Sequence, residues 1–479
     1  MKKLFFLASA LLCGVISANA ARVYVQTGEE GDPTWKITLG ANDKLVNLNK
    51  EGVKALPKTG LKEFWFAAGT YNIDTTFMLE QYDAIFMGGF AGTETNASQR
   101  VKKDGGKSWE FANPTILDGG NAVRLINDDK RRPNFDGLTL QNFKSTANAG
   151  VFQIRNAADK LQTVKNCQFL NDSAANQGGA IQVYSGNALI EGCYFAHNGA
   201  NQGGAIYANN TLGITIKNCT FEGNTAVIAS NAGGAIHVQN SGNDTIVGCT
   251  FIGNDAPNGQ GGALSMANTG AATFAANNVF VNNSGKQSII LLTGTQGFYY
   301  NTVYNCTGKA IYVAGNATVK NNVFWGTTAD NAIFELNTGI SAVYTNNAGL
   351  KWAEGADVSN ILLEPANTGS EEGKLYPVFA DPENGDFNIG KGSALIGKGV
   401  AIDGITTDIE GVTRTSLDLG AYAYIEGKVP TSVENTAKAP LDIQAALQAG
   451  EVYNLLGQRV GELQAGNIYI VGGQKVLMQ

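Results

Sequence analysis

The chain has 479 residues, 60 of them glycine, with 16% charged and 43% hydrophobic side chains and a formal charge of −7. That length exceeds one compact core, so it needs either several domains or a core that grows along one axis. The hydrophobic content excludes a disordered chain. The acidic balance excludes nucleic acid as a partner, because phosphate contacts need clustered Lys and Arg.

The first twenty residues read as an export signal. Lys2 and Lys3 give the positive start, Leu4 to Ile16 is apolar, and Ala18-Asn19-Ala20 is a small-x-small cleavage site. Cleavage is expected between Ala20 and Ala21. The apolar run is too short to span a bilayer. Cys13 raises lipid attachment as an alternative, but Leu12 before it replaces the small residue such a site needs. No later segment is long and apolar enough for a membrane helix, so the expected location is the cell surface or the medium. Further on, Lys130-Arg131-Arg132 follows Asp128-Asp129, and both read as a solvated turn.

A repeat dominates the middle of the chain. Its triplets are Cys167-Gln168-Phe169, Cys193-Tyr194-Phe195, Cys219-Thr220-Phe221 and Cys249-Thr250-Phe251, then Asn278-Val279-Phe280, Thr302-Val303-Tyr304 and Asn322-Val323-Phe324. Leu138-Thr139-Leu140 fits the same register upstream. Three residues after each Phe stands Asp172, Asn198, Asn224, Asn254 or Asn283, and a Gly-Gly-Ala element recurs at Gly178, Gly203, Gly233 and Gly261. The aromatics recur every 20 to 30 residues, and the stretches between are short, β-branched and period-two, as in Ile214-Thr215-Ile216. Alternation puts Cys and Phe on one face. Helical repeats lack this pattern, and no leucine consensus recurs. The pattern predicts an all-β protein, a right-handed single-stranded parallel β-helix of roughly a dozen coils, clearest over 165–285. Its interior is then built from ladders of like residues: Cys167, Cys193, Cys219 and Cys249; Phe169, Phe195, Phe221, Phe251 and Phe280; Asn198, Asn224, Asn254 and Asn283. Asn is expected at sharp corners, where it tolerates left-handed backbone and bonds nearby groups or its stacked neighbours. The Gly pair permits tight geometry.

After loss of Cys13, Cys306 alone stands outside the Cys column. Neighbours in the column fall within the Cα range a disulfide needs, yet a buried thiol also serves as a small apolar side chain. Asn and Thr replace it in later coils, so buried thiols are the expectation. Zinc is not expected, since His197 and His237 are the sole histidines and no close Cys pair exists. Residues 426–440, with Pro430 and Pro440, read as a linker. VYNLLGQRV (452–460) and GNIYIVGGQKVLMQ (466–479) then give strand signals.

Several families are resembled. Gly-Gly-Ala-Ile with Phe-x-x-Asn resembles the repeat of chlamydial polymorphic outer-membrane proteins, surface adhesins with a β-helical passenger. FWFAAGTYNI (64–73), GGFAGTET (88–95), Arg100 and NPTILDGG (113–120) are similar to the N-terminal coils of secreted bacterial proteins of the pectin-lyase-like superfamily. Phe379-Ala380-Asp381-Pro382, GDFNIGKGSALIGKG (385–399) and DLGAYAY (418–424) resemble the closing segment of such solenoids. Residues 441–479 resemble a short form of the C-terminal sorting domain of the Bacteroidetes type IX secretion system, which implies that machinery as a partner. The organisation expected is therefore signal 1–20, β-helix 21–425, linker 426–440 and small β sorting domain 441–479.

Catalysis is poorly supplied. Glycoside hydrolysis needs two placed carboxylates. Lyase chemistry needs a base and cations or Ca²⁺ to hold a uronate. Of the polygalacturonase pattern only Asp128-Asp129 occurs. From Asn176 to Gly285 the sole basic residue is Lys217, at an outward position, while His197 and His237 read as solvated. No catalytic, cofactor-binding or metal-binding residue is assigned. What remains is a regular outward face of Thr, Asn, Gln and Tyr, including Tyr184, Tyr194 and Tyr207. The reading is a cell-surface or secreted binding protein of adhesin type, contacting a polysaccharide or a host surface protein. The alternatives are a polysaccharide lyase or glycoside hydrolase, and a structural spacer.

Overall fold

The computed structural model describes residues 22–27, 34–41, 43–47, 63–77, 84–126, 133–155, 161–270, 272–326, 334–336, 339–349, 352, 357–363 and 378–426, with 452–453, 460, 468–471 and 474–477 near the C-terminus. The signal with Ala20 and Ala21, Asp128 to Arg132 and nearly all of the linker 426–440 lie outside the described residues.

One coil shows how the chain is wound. Asn187–Glu191 belongs to a first sheet, Tyr194–Ala196 to a second, and Gly199–Ala200 and Ile206–Asn209 to a third. The next coil then stacks in parallel, Ile190 on Ile216, Phe195 on Phe221 and Ile206 on Ile236. Repetition yields sheets of 13, 12 and 13 strands. Each strand alternates, so Val164, Ile190, Ile216 and Ile246 point inward from the first sheet while Thr163, Leu189, Thr215 and Thr245 point out. The core is one continuous apolar column from Val23 to Phe324. The phenylalanine ladder stacks face to face: Phe169, Phe195, Phe221, Phe251 and Phe280 follow one another at centroid spacings of 4.7, 4.9, 5.0 and 4.6 Å. Burial of each ring stabilises by about 2–3 kcal/mol.

The register departs from the sequence alignment at one coil. Phe280 pairs with Val303, and Val303 with Phe324, so the residue inside is Val303 and not Tyr304. A one-residue slip turns a side chain to the other face; Tyr304 lies outside, against Phe387. The same shift puts Asn301, not Thr302, in line with the Cys column.

The asparagine ladder also differs in its reason. The left-handed residue at that corner is the one before each ladder position: Asn171 (φ 57°), His197 (φ 55°), Gly223 (φ 60°) and Asn282 (φ 54°). The ladder residues themselves turn inward. Asn198 Nδ2 donates to Asn224 Oδ1, Asn224 Nδ2 to Asn254 Oδ1 and Asn254 Nδ2 to Asn283 Oδ1, each at 2.9 Å. Each also accepts the backbone N–H of the coil before it, as in Asn198 N to Asn224 Oδ1 at 3.0 Å. Polar groups that would otherwise be orphaned where strands end are thereby satisfied. Cys306 continues this column, within reach of Asn283 Nδ2 at 3.9 Å.

The glycine pair has two separate jobs. The first glycine takes φ of +67°, +62° and +63° at Gly178, Gly203 and Gly233. The second lies so close to the next coil that a Cβ on Gly204 would fall 2.0 Å from Gly234 O.

The segment containing DLGAYAY is laid along the flank of the last coils. Gly420 N donates to Asn321 O at 2.8 Å and Ala421 N to Thr302 Oγ1 at 3.0 Å. Buried Arg414 donates to Asn277 Oδ1 and Gly420 O and stacks on Tyr300 at 4.1 Å. A second unit comprises Ala380–Asp386 and Glu426–Gln479. Its strands Val452–Tyr453, Ile468–Val471 and Gln474–Leu477 form an antiparallel sheet with Ile468–Val471 in the middle.

Candidate functional site

The outer face of the second sheet is built from the residues flanking each inward Phe. In register they run Thr139, Gln168, Tyr194, Thr220, Thr250, Val279, Thr302 and Val323. The face changes character along its length. At the C-terminal end Val279, Tyr304 and Val323 are buried beneath Phe387, Leu395 and Leu419. From Gln168 to Thr250 the side chains are half-buried and polar.

A turn-rich loop overhangs the N-terminal part of this polar stretch. Lys102 and Phe111 form an antiparallel bridge that closes the loop, and Ser108 Oγ anchors it to Gly192 O at 2.9 Å. Phe111 fills the space above Gly137, where a Cβ would lie 2.9 Å from its ring; φ there is +76°. Trp109 is thereby set parallel to Tyr194, centroids 5.4 Å apart and planes 11° apart. Between loop and sheet lies a recess of about 210 Å³, lined by Lys103, Trp109, Glu110, Thr139 and Gln168 among others.

The charges around the recess are paired. Arg100 meets Asp136 at 2.6 Å and Lys103 meets Glu110 at 3.2 Å. The Lys107 backbone N–H and Lys103 hold the Glu110 carboxyl below its ordinary range. Lys102 Nζ sits 3.4 Å over the Phe111 ring, and desolvation there lowers its ammonium to about 8 against the opposing pull of Asp136. Tyr194 Oη donates to Glu222 Oε2 at 2.7 Å, and burial together with that carboxylate pushes its phenol up. Trp109, held by its stack on Tyr194 and lining the recess beside amide and hydroxyl groups, suits a ligand with one apolar face and a polar rim.

The other residues singled out in sequence fall elsewhere. Tyr184 and Tyr207 are on the third sheet, so the three tyrosines do not share a face. Tyr207 is 1% exposed and its hydroxyl accepts from Gln239 Nε2 at 2.6 Å. His197 is exposed at its corner. His237, expected in solvent, is fully buried: it is outward on its strand but stacked on Tyr207, ring centroids 5.4 Å apart. Its Nδ1 is 2.9 Å from Ser265 Oγ and its Nε2 is 3.1 Å from Gln239 Oε1. With the proton on Nε2 this is a nucleophile–base–orienter order. His237 and Ser265 are both 0% exposed, so no substrate reaches them in this conformation and the cluster serves as a satisfied polar ladder. Desolvation lowers the His237 imidazole to about 4. Lys217 lies outward and pairs with Glu191 at 2.8 Å, which also meets Lys165.

The column thiols Cys167, Cys193, Cys219 and Cys249 are free and buried, as is Cys306. Cys167 N donates to Cys193 Sγ and Cys193 N to Cys219 Sγ, both at 3.5 Å. Burial raises the Cys193 and Cys249 thiols well above the usual range and Cys306 to about 12. Among the described residues, no group of three or more His, Cys, Asp or Glu is placed to hold a metal ion. Sequence reasoning missed Trp109, which stands outside the repeat and carries no periodic signal.

Residues 101–350 match the family described as right handed beta helix region. The chain belongs to this right-handed β-helix family. The matched span begins at the overhanging loop, just before Trp109, and runs through the coils that carry the polar face. Among curated proteins, a metabotropic glutamate receptor-like protein R of Dictyostelium discoideum is 25% identical over 263 residues, 53% of this chain. The chain spans only 14% of that protein's length. Among solved structures, a rhamnogalacturonan lyase aligns over 78% of this chain and 97% of its own, with 14% identity and a TM-score of 0.30.

Proposed function

We propose that this β-helix is an exported, cell-surface or secreted binding protein of adhesin type that holds glycan at the recess on the second sheet. The observation that carries this reading is the Trp109–Tyr194 stack set over a polar strand face. The leader before Ala21, the Phe-x-x-Asn repeat and the sorting-type tail 441–479 support display at the surface, with the type IX machinery as export partner. A flat strand face with aromatic anchors also fits a host surface protein, but the ring–amide arrangement favours a sugar.

The test is retention of the mature chain on a panel of neutral and uronate-containing polysaccharides, with and without Ca²⁺, read beside product formation. Binding without turnover is expected. Trp109→Ala should weaken it at least tenfold, about 1.4 kcal/mol, while leaving the melting temperature nearly unchanged. Retention indifferent to Trp109→Ala would move the site elsewhere. New reducing ends or unsaturated products would replace binding by the lyase or hydrolase reading.

A further inference from the structure

The corner between the third and first sheets is lined with polar atoms that no described residue pairs. Asp244 is fully buried. Its Oδ1 accepts from Thr211 Oγ1 at 2.6 Å and from Ile214 N at 2.8 Å, both in the preceding coil. Its Oδ2 has no partner among the described residues. In the following coil Thr269 and Thr273 are 3% and 0% exposed. Thr269 Oγ1 is also unpartnered, and Thr273 Oγ1 accepts Asp244 N–H at 3.1 Å. One coil further, Gln296 is 0% exposed and reaches back to the same level: its Nε2 donates to Met266 O at 2.9 Å, while Oε1 is unpartnered. Gly294 leaves the space beside that oxygen, since a Cβ there would lie 2.7 Å from Gln296 Oε1 and 2.1 Å from Thr269 O.

The inventory of donors and acceptors selects the ligand. Asp244 Oδ2 and Gln296 Oε1 are acceptors, and the Thr269 and Thr273 hydroxyls each have one proton to give. A group that donates twice and accepts twice satisfies all four. We propose that this corner is a binding site for one buried water molecule, held by Asp244, Thr269, Thr273 and Gln296. Buried waters typically make about three such bonds to otherwise unsatisfied groups. The water lets an acidic side chain occupy the solenoid interior with no basic residue beside it, and ties three successive coils together at a corner that the asparagine ladders do not reach.

The test uses the full chain. A crystal structure at about 1.5 Å should show a density peak within hydrogen-bond distance of at least three of the four oxygens. Water-oxygen magnetic relaxation dispersion should register a long-lived molecule that Gln296→Leu removes. Asp244→Asn keeps the shape and serves as the folding-tolerant second variant; with its Oδ1 still accepting from Thr211 and Ile214 it turns an amide donor where Oδ2 accepted, so the peak should be lost or displaced. Direct contact among the four side chains with no peak would overturn the proposal. So would contacts of about 2.3–2.6 Å, the range for a bound Ca²⁺, or a melting temperature that rises with Na⁺, K⁺ or Ca²⁺ in the native chain and not in Asp244→Asn.

Discussion

Two stretches of the same interior column answer one requirement with different chemistry. From Cys167 to Cys249 the inward corner residue is a thiol; from Asn278 through Asn301, Asn322 and Asn347 to Asn360 it is an amide. The hand-over is direct, with Cys249 N donating to Asn278 Oδ1 at 2.9 Å. The amide stretch forms full ladders, such as Asn301 Nδ2 to Asn322 Oδ1 at 3.0 Å. Between coils the thiol stretch makes longer contacts, peptide N–H to Sγ at 3.5 Å. At the neighbouring corner the exchange runs the other way, Asn198 to Asn283 ending in Cys306. What the position demands is thus an inward acceptor for the peptide N–H of the preceding coil. Sulfur meets the demand weakly and the amide meets it well.

The largest effect should come from the ladder both stretches share. Phe221→Asp sets an unpaired carboxylate between Phe195 and Phe251, a cost of several kcal/mol that rivals total stability. Loss of the cooperative thermal transition is expected by circular dichroism. A soluble, cooperatively melting variant would break the coil register itself. In the amide column, Asn224→Leu keeps the volume but strands Asn198 N–H and one of the two Asn198 Nδ2 protons, the other being held by Phe169 O, and removes the bond that Asn224 Nδ2 gives the Phe195 carbonyl at 2.9 Å. Each buried orphan costs about 1–3 kcal/mol, so denaturant titration should show a loss of about 4 kcal/mol.

Much of this was legible in sequence because parallel coils repeat their environment. Phe169 to Phe280 and Asn198 to Asn283 recur for packing reasons that period and spacing expose. The slip at Tyr304 was not legible, since Val303 and Tyr304 are both acceptable inside and only the strand pairing chooses between them. His237 was misread for a related reason: alternation gives the face of a strand, but not what covers that face. Trp109 could not be found at all, because it comes to Tyr194 through a loop fold and not through a period.

His237 therefore provides a pH test of the covered face. Its folded-state value near 4 lies below the ordinary 6.5. The unfolded chain binds the extra proton first as pH falls, so this contribution is full above about pH 6.5 and is lost as pH drops to about 4. The shift corresponds to about 3 kcal/mol. Buried Asp172, whose carboxyl is pushed well up by desolvation, acts in the opposite sense, so the comparison must be with His237→Gln. The native chain should lose stability relative to that variant across pH 6.5 to 4. Parallel pH profiles would mean that the imidazole is solvated after all.

The smallest effect is the most informative about the two stretches. Cys219→Asn places an amide in the middle of the thiols. Its Oδ1 can take the N–H of Cys193, as Sγ does now, and its Nδ2 falls near the Ile190 carbonyl that Cys219 Sγ approaches at 3.6 Å. That repeats the arrangement of Asn301, whose Nδ2 donates to Ala275 O at 3.1 Å. The cost is one amide without an amide above it, since Cys249 offers only sulfur. We expect a change of about 1 kcal/mol or less, the size of a single net hydrogen bond. A loss as large as that of Asn224→Leu would show that the thiol stretch is packed for sulfur in particular, and that the two halves of the column are not variants of one corner but two different ones.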